Sequence, residues 1–243
     1  MSQFDNTPIM PPAPEAPGPA GWLPVWMKVV TKPSEQTFVE ITEHPDMSSR
    51  TAYIWVFLSY ALSIVVAGII QAILLASGLN NQFGVEGAGA SVGTTVLVTI
   101  CASPITGAIS VLFFALMTAI TQWIAKLFGG TGNYDKLLYS FAAIFTPYTL
   151  ASMFLVPLSS VPYLNICTGL FSVGLILYYL FLKITAVKAI NRFGWGQAIG
   201  AVMLPGLAFL FVCGCVVAAS FMLLAPMIGN VFSGINQSLQ FAP

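Results

Sequence analysis

The sequence predicts an all-α integral membrane protein: a bundle of five transmembrane helices preceded by a cytoplasmic amphipathic N-terminal segment. Three observations carry this prediction. Eight Lys plus Arg and eight Asp plus Glu make 7% of the 243 residues, while 57% are apolar and mean hydropathy is +0.88. A soluble domain is about 25% charged, so a water-facing surface could not be covered and a soluble globular fold is excluded. Five apolar stretches each reach the roughly 20 residues that cross about 30 Å of hydrocarbon. Finally, the cations cluster where a five-span chain gathers them on one side. Net charge is zero, so no basic balance points to nucleic acid.

The elements follow in order. Residues 1–21 form a Pro-rich tail, with seven prolines between Pro8 and Pro24 and no basic start of a signal peptide. That composition predicts an extended, mostly disordered segment. Residues 22–50 are read as a cytoplasmic interfacial segment. Trp22, Val25, Trp26, Val29 and Val30 recur at helical spacing, Lys28 lies off the stripe and Lys32 can snorkel from its edge, so this helix is expected on the membrane surface. Pro33 suits the first position of a second helix, in which Phe38 and Ile41 offer weak membrane or bundle contacts.

The membrane domain covers residues 51–228. Span one is Ala52 to Ser77. Span two, Thr95 to Phe128, exceeds one perpendicular crossing and carries Pro104 near its start, so its first turns project, tilt or bend. Span three, Lys136 to Leu158, has Pro147 in its middle, where a kink is expected. Span four is Leu164 to Ile190. Span five, Ala198 to Ile228, is broken early by Pro205. Residues 229–243 form a short outer amphipathic tail: Ile228, Val231, Phe232, Ile235 and Leu239 trace a stripe that should continue or cap span five.

With the N-terminus inside, Lys28, Lys32 and Arg50 precede span one, Lys126 and Lys136 flank the turn after span two, and Lys183, Lys188 and Arg192 lie at the turn after span four. All eight cations are then cytoplasmic, and the C-terminus is outside. Trp22, Trp26, Trp123 and Trp195 fall near the same interface and are read as anchors, joined by Trp55. The lipid bilayer, with anionic headgroups on the cytoplasmic side, is the first expected partner.

Candidate chemistry is sparse. The membrane stretches hold no Asp, Glu or His at depth, and Lys183 can snorkel to the inner headgroups. His44 has only Glu43 and Asp46 beside it. Cys101, Cys167, Cys213 and Cys215 lie in apolar runs and are read as small packing residues rather than a disulfide framework or metal site. No catalytic, cofactor or metal residues are expected, and the protein is read as no enzyme. A permease or channel for a small neutral solute is the alternative: Pro interruptions and Ser/Thr such as Thr106, Ser110, Thr146 and Thr149 suit one. Against it stand the missing titratable relay and the absence of an internal duplication. Ser and Thr at helix contacts more often serve as packing and hydrogen-bond glue.

The most distinctive polar patch is FGGTGNYDK, Phe128 to Lys136. It is no phosphate loop, because the GxxxxGK[ST] pattern is missing. Its glycines suit a tight helical hairpin, and Asn133 or Asp135 can cap the next helix. Here the chain resembles the bacterial branch of the YIP family, multi-span proteins named for interaction with Ypt/Rab GTPases. The resemblance rests on WMKVVTKPSEQTFVEI before span one, on LFGGTGNYDKLLYSFAAIFTPYTLA, and on the five-span layout, from about Trp22 to Ala225. Gly129, Gly130, Gly132, Tyr134 and Pro147 match as signature positions.

The resemblance implies a cytoplasmic N-terminus, five membrane helices and no catalysis or cofactor. Family relatives in eukaryotes act in ER and Golgi vesicle traffic, so small-GTPase binding enters through that analogy alone. The expected function is therefore an integral membrane scaffold or adaptor that organises membrane or binds a cytoplasmic or membrane partner. The expected location is a bacterial cytoplasmic membrane, or ER/Golgi in a eukaryote. A homo- or hetero-oligomer is compatible, with Gly196 and Gly200 spaced for close helix packing.

Overall fold

The structure, a computed structural model, describes residues 21–45, 47–77, 91–159 and 164–240, with backbone alone for 156–157 and 223–240. Among them are seven helices and no strand: α1 Trp22–Thr31, α2 Glu35–Glu43, α3 Ser49–Ala76, α4 Val92–Leu127, α5 Tyr134–Leu158, α6 Leu164–Asn191 and α7 Trp195–Gln240. The tail expected at 1–21 lies, but for residue 21, outside the described residues, as do the connections at 78–90 and 160–163.

Helices α3 to α7 supply five segments long and apolar enough to cross a membrane. Four of the starts precede the apolar runs, and for the first three the reason is that a helix begins at its cap, not at its first apolar residue. The Ser48 hydroxyl accepts from Arg50 N at 3.2 Å, Ser91 accepts from Thr94 N at 3.2 Å, and Asn133 Oδ1 accepts from Asp135 N at 3.2 Å. Ser34 does the same for α2, accepting from Thr37 N, so the second helix starts one residue past this cap and not at Pro33. Pro104, Pro147 and Pro205 all lie within continuous helix. The expected break at Pro205 is absent: one missing N–H is tolerated where neighbouring turns keep their bonds. The backbone of α7 stays helical to Gln240, as the expected continuation of span five requires.

The chain divides into two compact units, Met1–Val202 and Met203–Pro243. In the first, α5 is the central helix. Of its apolar window 56% is buried, against 11 to 22% for the other four spans, although it is the least apolar of the five. Leu137 to Ile144 are buried without interruption, so this stretch is covered on every side. Helix α3 packs on α4 and α5, and α6 packs on α5. Small and medium side chains face inward on α3 (Ala52, Val56, Ser59, Ser63), while Ile54, Leu58, Leu62, Ile69 and Ile73 face out. That is the sorting lipid imposes, since small residues permit close helix approach. At Gly68 an added Cβ would lie 2.4 Å from Thr99 Cγ2 of α4, the tightest of these approaches. The second unit's described part is the continuing α7 helix.

Helices α1 and α2 pack against α5 and α6 rather than standing off the bundle. The stripe expected to meet lipid is instead turned inward: Val29 is buried, and Trp22 and Trp26 pack on Trp55. The apolar side chains α1 leaves out are Leu23 and Met27. On α6 the exposed large side chains run from Leu164 to Phe181, 18 residues or about 27 Å of helix. From Leu182 to Asn191 α6 is mostly buried, in the region where α2 packs.

Two readings of side-chain type are corrected. Membrane-depth hydroxyls bond back to carbonyls of their own helices: Thr106 to Ala102 O, Ser110 to Gly107 O, Thr149 to Phe145 O and Thr185 to Phe181 O. They serve as packing residues, as Thr149 and Thr185 are buried, but their hydrogen bonds do not join helices; Ser140 and Thr146, buried in α5, have no hydrogen-bond partner among the described residues. Cys101, Cys167 and Cys215 are exposed on the apolar surface, so they do not pack a core.

Candidate functional site

The polar groups concentrate at the end of the bundle that carries the two turns, 128–133 and 192–194. Gly129 has φ +87°, a conformation L side chains rarely adopt, and Gly130 N donates to Ala125 O at 2.9 Å to close α4. The turn is then clamped by two side chains from other elements. Asn191, the last residue of α6, accepts at Oδ1 from Gly132 N at 3.2 Å and from Gln122 Nε2 at 3.0 Å. Gln122 of α4 also donates to Gly132 O at 2.8 Å. The Asn191 carbonyl accepts from Thr131 N at 3.4 Å.

Both amides are almost wholly buried, so their demand for partners is met by the turn and the turn cannot move without breaking them. Gly130 and Gly132 are required by sterics as well. A Cβ on Gly130 would lie 2.7 Å, and one on Gly132 2.6 Å, from Asn191 Oδ1.

The second turn is tied to the first. Arg192 takes φ 56° past the end of α6, Gln197 Oε1 accepts from Gly194 N at 3.0 Å, and Gln197 Nε2 donates to Phe128 O at 3.1 Å. The Phe128 ring occupies the space over Gly200, where a Cβ would meet it at 3.1 Å. Of the Gly196 and Gly200 pair, only Gly196 is open.

The other signature positions complete this end. Tyr134 opens α5; its hydroxyl donates to Ala115 O at 3.3 Å and lies 3.4 Å from the Tyr53 hydroxyl. Ser49 donates to Asp135 Oδ1 at 2.6 Å, joining the starts of α3 and α5. Pro147 lies deeper in α5 and lines a small cavity of about 100 Å³ with Val30, Tyr178 and Tyr179. Trp22, Trp26, Trp55 and Tyr139 form one aromatic cluster, with centroid separations of 4.9 to 6.4 Å. Trp123 is exposed, and Trp195 is exposed with the Lys188 ammonium 4.4 Å over its ring.

The cations divide into three kinds. Lys28 of α1 pairs with Glu40 of α2 at 2.5 Å, and Lys188 of α6 with Glu35 of α2 at 2.6 Å. Lys183 lies against the ring faces of Phe141 and Tyr179. Lys32, Arg50, Lys126, Lys136 and Arg192 have no carboxylate partner among the described residues. No group of three or more His, Cys, Asp or Glu that could hold a metal occurs among the described residues.

Gln122, Asn191 and Gln197 were not singled out by the sequence reading. A signal existed for the first two, since an amide in an otherwise apolar helix must find a partner. The sequence did not say that the partner would be the glycine turn.

Five long apolar helices around a polar, hydrogen-bonded end define a multi-pass α-helical membrane protein. The chain belongs to the Yip1 domain family, whose model matches residues 27–235, most of its length. Comparison with curated proteins and with solved structures finds no match.

Proposed function

We propose that this protein is a non-enzymatic integral membrane scaffold or adaptor whose working surface is the turn end of the bundle, oriented to the cytoplasm. The observation that carries the reading is a turn fixed by Gln122 and Asn191 in a protein whose Lys32, Arg50, Lys126, Lys136 and Arg192 have no carboxylate partner among the described residues. A fixed backbone with unpaired cations suits recognition, because little ordering is required when a partner docks. The same charges favour the side of the membrane that retains Lys and Arg and carries anionic lipids. Three of the hydroxyls a neutral-solute pathway would use, those of Thr106, Ser110 and Thr149, have their protons committed to their own helices, which favours the scaffold over the permease.

Site-specific photocrosslinking from Thr131 in native membranes tests this. One reproducible adduct, lost when Lys126 and Arg192 are both changed to Gln, is the expected result. Saturable passage of a neutral solute through reconstituted vesicles, with no such adduct, would overturn it in favour of the permease.

A further inference from the structure

Lys183 stands apart from the other cations. Lys28 and Lys188 hold carboxylates, whereas the Lys183 ammonium has only the faces of Phe141 at 4.6 Å and Tyr179 at 5.3 Å. Among the described residues of α3 to α7 the one carboxylate is Asp135, at the turn end and bonded to Ser49. Ring faces recover only part of what removing an ammonium from water costs. Among the described residues no carboxylate serves as counter-ion at this position.

Lys183 borders a cavity of about 520 Å³ between α4 and α6, backed by Phe145 of α5. That volume lies within the roughly 300–1,000 Å³ of small-molecule sites. The cavity follows α4 from Met117 to Thr106, 12 residues or about 18 Å. Lys183 is level with the half nearer Met117, because Asn191 meets Gln122 and Lys183 and Phe114 both lie eight residues back from that contact. The rest of the wall is mainly apolar and aromatic, with Tyr60 and Tyr179 among its lining, and the Thr106 and Ser110 protons are spent on Ala102 O and Gly107 O. Ile109 and Phe113 line the cavity and are also exposed on the outer face of α4, so it opens sideways onto the surface the spans present to lipid.

We propose that this cavity is a binding site for one anionic phospholipid, its phosphate paired with Lys183 Nζ and one acyl chain lying along Ile109 and Phe113. A phospholipid is favoured over a free fatty acid by position. Lys183 falls two residues beyond Phe181, where the roughly 27 Å outward face of α6 ends, and that is the level of the phosphates in the adjoining leaflet. The site does not depend on the turn end recruiting a partner, and the two readings fail separately.

The test is native mass spectrometry of the full chain in detergent, titrated with palmitoyl-oleoyl phosphatidylglycerol, with phosphatidylcholine bearing the same chains, and with oleate. One phosphatidylglycerol should be retained at least about tenfold more strongly than phosphatidylcholine, and Lys183→Gln should remove that preference. Lys183→Arg should keep it. Ile109→Trp, on an exposed position that tolerates bulk, should block binding with the lysine in place. Undiminished phosphatidylglycerol binding by Lys183→Gln would overturn the site, and oleate displacing phosphatidylglycerol at equal concentration would overturn its assignment to a phospholipid.

Discussion

Asn191 is the residue on which the turn end depends, because a single side chain serves Gly132 N–H and Gln122 while its own carbonyl serves Thr131. Asn191→Ala leaves buried donors unpaired and should cost about 1–3 kcal/mol, read as a fall in the thermal midpoint of the purified protein in detergent. The glycines separate two physical causes. Gly129→Ala meets nothing within 4 Å and pays only for its positive φ, on the order of 1 kcal/mol. Gly132→Ala instead collides with Asn191 and Ile190, and overpacking of this kind costs about 1–3 kcal/mol. Gly132→Ala combined with Asn191→Ala should therefore lose less than the two single losses added together. Strict additivity would mean that the close approach is not the cause.

At the scale of elements, α1 and α2 form a collar on the bundle, held by apolar burial more than by charge. Trp55 is 1% exposed beneath Trp22 and Trp26, and Phe38 and Val29 are fully buried. The two ion pairs are partly exposed and each is worth about 0–1 kcal/mol. Trp55→Ala should accordingly cost about 3–5 kcal/mol and expose residues 22–43 to limited proteolysis. Glu35→Gln should leave the cleavage pattern nearly unchanged. If Glu35→Gln released the collar as readily as Trp55→Ala, charge and not packing would hold it. The amphipathic stripe was legible from the spacing of Trp22, Trp26 and Val29. Its destination was not, because periodicity reports that a face will be covered and is silent on whether lipid or protein covers it.

For the whole molecule, the five spans place the 128–133 turn and the α5–α6 connection at opposite ends of a helix 25 residues long. With the four native cysteines replaced by Ala, Thr131→Cys and Ser159→Cys should be labelled by impermeant thiol reagent from opposite sides of the membrane. Labelling of both from one side would break the five-span arrangement. Accessibility of Thr131→Cys from the cytoplasm is expected from the distribution of Lys and Arg.

Composition and the lengths of the apolar runs determined that this chain is helical and multi-pass, and located the starts of the five long helices to within about three residues, because lipid forces every backbone polar group to be satisfied inside a helix of fixed minimum length. The GGTGNY turn was likewise visible, since glycine clusters between helices have few other uses. Tertiary structure decided which helix is central: α5, the least apolar span, is the one lipid sees least, and hydropathy ranks it last. It also decided that Gln122 and Asn191, 69 residues apart, lock the turn, and that Lys183 borders a cavity with no acid beside it. Burial, hydrogen bonding and charge pairing are relations between helices, and a linear pattern records only what each helix brings to them.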